Sequence, residues 1–511
     1  MTRSSPRRAA HPFAVPNDGV PPSPALDATA DGNDGPRVKL WIAVLIALVF
    51  TVVGAIWFAR RSGRRALMRF RARVDRFKFA SRKSVRERLL NDAAIAAAVH
   101  AHAVETGTSD AVAWKRVDGY VQEIVPFFNV VAYYQLGYRL GERLLNLFYK
   151  VTVEHEDRAA FRALPRDAVL VYLMNHRSNA DYVLVSYALA GDVAISYAVG
   201  EWARAFPLER MFKAFGAYFV RRKFREPLYH TVLERYVQLI TREGVTQGIF
   251  LEGGLTRDGR LKSPKIGLFD YVLGIAREPE YRSRIHIVPV AVNYDRVLED
   301  RSLIRELAFR EGGSRRPRRT QLTEVARYLW WNSARLVSRR WKRYGRAAVI
   351  VGAPMPVAPW FDARPGLFEL PRTERLAQIQ SLSDQVMERI GALVPVTPVP
   401  LACAAIQTFD ADFIPRAALL ERMAEMRDTL VELNGRVVRH EGGIEETFQR
   451  AWRMLRMRRM LVEVGEGYSV LPKQRELVSY YANSIAHLLG SFEESVRRRD
   501  ALPATTAAGI T

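Results

Sequence analysis

Hydrophobic and polar positions divide the chain into three regimes. Residues 1–36 are rich in Pro, Gly, Asp and Ala, with little apolar periodicity, and are expected to be a disordered tail. Leu40 to Ala59 (LWIAVLIALVFTVVGAIWFA) then runs twenty residues without a charge. At about 1.5 Å per helical residue that is about 30 Å, the hydrocarbon thickness of a bilayer, and it predicts a transmembrane helix. Residues 86–122 read as mixed helix. Phe127 to Lys150 is an apolar, aromatic helical stretch. From residue 165 strands alternate with helices. Ala168–Met174, Val193–Val199, Tyr218–Val220, Gly248–Leu251, His286–Asn293 and Ala348–Gly352 are short β-rich apolar runs. Ala180–Leu189 and residues 228–242 read as helices between them. That order predicts an α/β domain with a largely buried sheet. Residues 372–490 read mostly helical, with a Pro-rich joint at 395–400. The expected organisation is tail 1–36, spanning helix 40–59, basic and amphipathic helical region 60–150, sheet-centred domain 151–360 and C-terminal helical domain 361–500.

Charge adds a topology. Five basic residues precede the apolar run, whereas thirteen lie between Arg60 and Arg88, opposed by Asp75 and Glu87. Positive flanks stay inside, so everything after residue 60 is expected to be cytoplasmic. A collar of this kind also suits anionic headgroups. The whole chain carries a net charge of +23, which calls for anionic partners, and its mean hydropathy of −0.11 excludes a polytopic transporter. Its one cysteine, Cys403, excludes an internal disulfide and a Cys-rich zinc site. Arg315 to Arg346 holds eleven basic residues against Glu324, with Tyr328, Trp330, Trp331 and Trp341 among them. Such a stretch suits a lipid interface or, alternatively, stacked single-stranded bases.

Chemistry is concentrated at Asn175-His176-Arg177-Ser178-Asn179-Ala180-Asp181-Tyr182, directly after the first strand. His176 and Asp181 are five residues apart, so a continuous helix would put them on different faces. At a strand-to-helix turn the carboxylate can reach back to one imidazole nitrogen. That fixes the tautomer and leaves the other nitrogen to take a proton. That makes a His–Asp pair without a serine nucleophile, in which the proton would come from a substrate hydroxyl. Gly216-Ala217-Tyr218-Phe219-Val220-Arg221-Arg222 follows. Then come Phe250-Leu251-Glu252-Gly253-Gly254 with Arg257 and Lys265, and Ile287-Val288-Pro289-Val290. Glycines after a strand admit a ligand close to the backbone, and Arg and Lys suit a phosphate.

In this order the four blocks resemble those of the glycerol-3-phosphate acyltransferase family. Val351-Gly352-Ala353-Pro354-Met355-Pro356, Leu471-Pro472-Lys473 and Tyr480 to His487 (YYANSIAH) extend the resemblance to the C-terminal segment of its large bacterial membrane form. It covers about residues 165–490. The resemblance implies acyl transfer from acyl-CoA or acyl-carrier protein to the 1-hydroxyl of glycerol 3-phosphate at the cell inner membrane, with no cofactor. It implies His176 as general base, Asp181 as its orienter, and Arg222, with Arg221 beside it, on the phosphate. Glu252 and Gly253 would shape the glycerol site and Pro289 the acyl-donor region. Backbone N–H groups near the HxxxxD turn are a candidate oxyanion hole. One position departs: the family commonly has Arg after Glu-Gly-Gly, and here it is Leu255, so one phosphate contact is either missing or passed to Arg257 or Lys265. Dihydroxyacetone phosphate or 1-acylglycerol 3-phosphate are the alternative acceptors. A non-catalytic, membrane-tethered nucleic-acid or lipid-binding protein is the competing class. The absence of a zinc-finger, RRM or P-loop signature argues against nucleic acid and nucleotide partners.

Overall fold

The computed structural model describes residues 82–490 apart from 128–132, 134–136, 191–192, 201–207, 222–223, 313–342 and 439–442. The expected tail, spanning helix, most of the basic collar, the Trp-rich stretch up to residue 342, and Arg222 lie outside the described residues. Among those described, no helix is long and apolar enough to cross a membrane.

Three helices come first: α1 (Arg82–Leu90), α2 (Ala93–Thr106) and α3 (Asp110–Ile124). The breaks between them are chemical. Asp92 caps α2 by accepting from the N–H groups of Ala94 and Ile95, and Gly107 ends it in the left-handed conformation. Helix α4 (Arg139–Phe148) leads into β1 (Lys150–His155). There follow β2 (Val169–Met174), α5 (Asp181–Leu189), β3 (Ser196–Gly200), β4 (Tyr218–Val220), α6 (Pro227–Arg242), β5 (Gln247–Phe250) and α7 (Gly267–Leu273). Then come β6 (Ile285–Tyr294), α8 (Asp300–Gly312), β7 (Arg346–Val351) and β8 (Met355–Pro356). The C-terminal part holds α9 (Arg372–Ala392), α10 (Pro398–Gln407), β9 (Phe413–Pro415), α11 (Arg416–Glu432), α12 (Ile444–Met457), β10 (Leu461–Val464), β11 (Gly467–Val470) and α13 (Arg475–Ala482).

The main sheet has the order β1-β7-β6-β2-β5-β3-β4, with β8 also on β6. Strands β2 to β6 run parallel to one another. β7 runs antiparallel to β6, and β1 follows β7. The carboxyl ends of β2, β3, β4, β5 and β6 therefore share one edge with the amino ends of β7 and β1. Ligands of open α/β sheets bind outside that carboxyl edge.

Strict alternation along each strand builds two cores, one per face. Leu170, Tyr172, Met174, Phe250, Val288, Val290, Val292, Val349 and Val351 face one layer, which includes α5 and α10 to α13. Val171, Leu173, Ile249, Leu251, Ile285, Ile287, Ala291 and Ile350 face the other, with α1 to α3, α6, α7 and α9. Fully burying a Val, Leu or Ile side chain is worth roughly 1.5–3 kcal/mol, so both faces need cover. That is why the strands read as continuous apolar runs rather than as alternating ones. Pro289 lies inside β6, where a missing N–H would normally break a ladder. It falls where the neighbour of β6 changes from β8 to β7, and its carbonyl accepts from Gly352 N–H at 2.8 Å. Cys403 is buried in α10.

Candidate active site

Asn175 begins the site. Its side chain bridges to β6, donating to the Val292 carbonyl at 3.0 Å and accepting from the Val292 N–H at 2.8 Å. This two-point clamp continues the β2–β6 ladder beyond Met174 and fixes where the chain turns off the strand. His176 follows at the turn and Asp181 opens α5, as the spacing predicts. Nδ1 of His176 lies 3.0 Å from Oδ2 of Asp181. Both side chains are buried, and the imidazole stacks on Phe250 with ring centres 4.0 Å apart.

Asp181 Oδ2 also accepts from the N–H groups of Arg177 (2.7 Å) and Ser178 (3.0 Å), and Oδ1 from the Tyr294 hydroxyl (2.5 Å). A carboxylate held by that many donors is an acceptor throughout, so Nδ1 of His176 carries the proton and Nε2 is the basic nitrogen. Glu299 holds the turn from the other side, accepting from the Ser178 hydroxyl at 2.7 Å and the Asn179 N–H at 3.3 Å. Burial raises its carboxyl pKa, against the stabilising Ser178 bond.

The turn itself is not the oxyanion hole that its position suggests. Its successive N–H groups are committed: His176 to Glu252, Arg177 and Ser178 to Asp181, Asn179 to Glu299, and Ala180 to the Ser178 hydroxyl. The same donors that fix the carboxylates are unavailable to a developing charge.

Glu252, at the end of β5, accepts from the His176 N–H at 2.8 Å through Oε1. Its Oε2 is buried without a hydrogen-bond partner. Burial pushes this carboxyl up to about 7, opposed by the His176 N–H and the Arg177 charge. Gly253, at φ +64, lets the chain turn beneath Lys265, whose Cδ would lie 2.7 Å from an added Cβ. Arg177 is buried. One guanidinium nitrogen donates to the Gly259 carbonyl, Nε and Nη2 have no partner, and the group lies 5.5 Å from the Tyr480 ring centre. Gly259 sits at φ +90 with the Tyr480 carbonyl 1.9 Å from where a Cβ would be. Only glycine allows the loop after Glu-Gly-Gly to lie against the C-terminal segment there.

Leu255 packs against the core rather than reaching a ligand. Arg257 is paired with Glu306 at 2.8 Å, and Lys265 is exposed. Lys262, absent from the expected set, donates to the Leu255 carbonyl at 2.6 Å; burial and the nearby Arg257 charge lower its pKa. Arg221 reaches the same sheet edge at the end of β4, but its guanidinium forms a two-point pair with Glu123 and lies 4.9 Å from the Phe224 ring centre. Tyr294, Glu299 and Arg177 escape sequence reading because each acts on residues distant in the chain, and Lys262 because it lies in the loop beyond the Glu-Gly-Gly block.

Comparison with known proteins bears on this arrangement. Residues 152–293 match the Acyltransferase family model, and residues 330–491 match the Glycerol-3-phosphate acyltransferase C-terminal region. By these two matches the chain is similar to the glycerol-3-phosphate acyltransferase family. Among its curated relatives is a glycerol-3-phosphate acyltransferase of Aeromonas hydrophila, 27% identical over 80% of this chain and 50% of that protein. Another is that of Actinobacillus succinogenes, 28% identical over the same shares. The chain thus spans about half the length of the curated relatives it matches. The 1-acyl-sn-glycerophosphate acyltransferase of Thermotoga maritima aligns over 52% of this chain and 80% of that one at 17% identity, with a TM-score of 0.29, too distant to carry an argument.

Proposed function

We propose that the chain transfers a fatty acyl group from an acyl thioester, acyl-CoA or acyl-carrier protein, to the 1-hydroxyl of glycerol 3-phosphate. The observation that carries the reading is the buried His176–Asp181 pair at the carboxyl end of β2, with Glu252 hydrogen-bonded to the same turn. Nε2 of His176 takes the hydroxyl proton while Asp181 stabilises the imidazolium. The alkoxide oxygen attacks the thioester carbonyl. The tetrahedral adduct collapses, the C–S bond breaks, and the thiolate recovers a proton from Nε2. Glu252, with one oxygen unpartnered, is placed to bond an acceptor hydroxyl. Arg222 is the proposed phosphate ligand, with Pro289 supporting the sheet beneath the donor side. Residues 40–59 are the proposed anchor in the inner membrane, with the catalytic part cytoplasmic and the basic collar on anionic lipid.

Leu255 favours one second reading, in which the acceptor is dihydroxyacetone phosphate or 1-acylglycerol 3-phosphate. The test is detergent-solubilised protein with radiolabelled glycerol 3-phosphate, dihydroxyacetone phosphate or 1-acylglycerol 3-phosphate in separate reactions, each with acyl-CoA or acyl-carrier protein thioester, the products resolved by thin-layer chromatography. The expected product is 1-acylglycerol 3-phosphate. Acylation of 1-acylglycerol 3-phosphate alone would establish the second reading instead.

A further inference from the structure

Away from the dyad, a half-open cavity of about 980 Å³ lies where the amino ends of β1 and β7 meet α12. Its walls are unusually cationic. Lys150 comes from β1, Arg343 from the approach to β7, and Arg450, Arg453 and Arg456 from α12. The three arginines recur every third residue, so they share one helix face. Trp452, resting on Tyr468 with ring centres 4.8 Å apart, adds an aromatic edge.

Little neutralises this charge. Asp295 is the carboxylate in the lining, and it is already occupied by the N–H groups of Arg346 (2.7 Å) and Val399 (3.0 Å). Arg450 is paired with Glu446. Arg343, Arg453 and Arg456 have no carboxylate partner among the described residues, and all three are exposed. Cations converging from three elements on one concavity suit a compact polyanion better than a flat surface does.

The cavity is also within reach of the dyad. Because β7 and β1 run against β2, their amino ends stand at the same sheet edge as His176. Arg346 lies two strands from β2 and Lys150 three, and Ala347 is in register with Tyr294, four residues beyond the Val290–Met174 pair. Strand spacing and rise place the cavity roughly 15–20 Å from the catalytic turn. A thioester sulfur at His176 and a phosphate group in the cavity are thus about one extended pantetheine arm apart.

We propose that this cavity holds the phosphate-bearing end of the acyl donor, the adenosine 3′,5′-bisphosphate portion of an acyl-CoA. The inference rests on the acyl-transfer reading above and names where its donor docks. The test uses the full chain in detergent and the charge-reversed variant Arg453→Glu/Arg456→Glu, with Arg453→Lys/Arg456→Lys as the charge-preserving control. Calorimetry with adenosine 3′,5′-bisphosphate as probe should show affinity falling about tenfold or more in the Glu variant and little in the Lys control. The KM for acyl-CoA should rise by a similar factor. That for the matching acyl-pantetheine, which lacks these phosphates, should stay within about twofold. Unchanged bisphosphate binding would overturn the proposal, as would equal losses with acyl-pantetheine. A loss confined to acyl-carrier protein would also overturn it and give the arginine face to an acidic protein. A wild-type chain that binds the bisphosphate but acylates no glycerol 3-phosphate would defeat the functional reading and not the cavity.

Discussion

Tyr294 and Asp181 are separated by more than a hundred residues, yet the tyrosine hydroxyl donates to the aspartate Oδ1 at 2.5 Å inside the core. The contact ties the end of β6 to the His176–Asp181 turn that follows β2. Burial and the Asp181 charge hold the Tyr294 phenol well above its usual range, so it stays a donor. Tyr294→Phe keeps the ring and removes the bond. We expect kcat to fall about tenfold with the glycerol 3-phosphate KM little changed, together with a stability loss of about 1–2 kcal/mol. Steady-state kinetics and denaturant unfolding check both; an unchanged kcat would reduce the hydroxyl to a packing role.

Replacing His176 by Ala should lower acyl transfer by about 10²–10⁴-fold in a protein that still folds. Asp181→Asn should be similarly severe, since the amide keeps the shape but not the charge that stabilises the imidazolium. It also faces the Arg177 and Ser178 N–H groups with fewer acceptor sites. Activity within a few-fold of wild type in either variant would remove that residue from the mechanism, with circular dichroism confirming the fold.

Arg221 and Arg222 adjoin in sequence but should separate in assay. Arg221→Ala removes the two-point pair with the buried Glu123 and should destabilise the fold by about 1–3 kcal/mol. Arg222→Ala should instead raise the KM for glycerol 3-phosphate more than that for the donor, a contact worth about 1.5–3 kcal/mol. Melting curves and KM values for the two single variants decide it. A selective rise in glycerol 3-phosphate KM from Arg221→Ala would reverse the roles.

Glu252 predicts a pH signature. Its carboxyl is raised from the ordinary 4.5 to about 7, so the folded state holds this proton more tightly than the unfolded chain. The stability it contributes is complete below about pH 4.5 and is lost as pH rises through about 7. Glu252→Gln has no proton to lose and can still accept the His176 N–H. Its stability relative to wild type should therefore increase between about pH 5 and pH 8, by at most about 3 kcal/mol. Thermal melts across that range test this, and a constant difference would rule out a raised carboxyl.

The sheet was legible because its strands are apolar on both sides. Tyr218–Val220 was read to the residue, and β2, β5 and β6 to within one. The expected strand at Val193 begins at Ser196, after an isolated bridge at Val193. β1 (KVTVEH) escaped because it is polar, short and only partly covered at the sheet edge. The small β9–β11–β10 sheet was lost inside a helical reading, since strands of three or four residues carry almost no periodicity. At the site, His176, Asp181 and Glu252 were readable because their partners lie on the same turn or the adjacent strand. Residues that act across the fold leave no such local trace: Tyr294 on Asp181, Glu299 on Ser178, Arg177 against Tyr480. The expected phosphate role of Arg221 meets a partner, Glu123, about a hundred residues upstream.

The two-faced sheet constrains how this chain can be divided. One face of β2, β6 and β7 shares its core with α5 and with segments that begin after residue 395. A gene fragment ending near residue 360 would encode all four sequence blocks and still leave that shared core open where the C-terminal helices close it. In this chain the C-terminal region is thus part of the sheet's own core rather than an accessory to it. Drift in the side chains on one side of that shared core must be answered on the other.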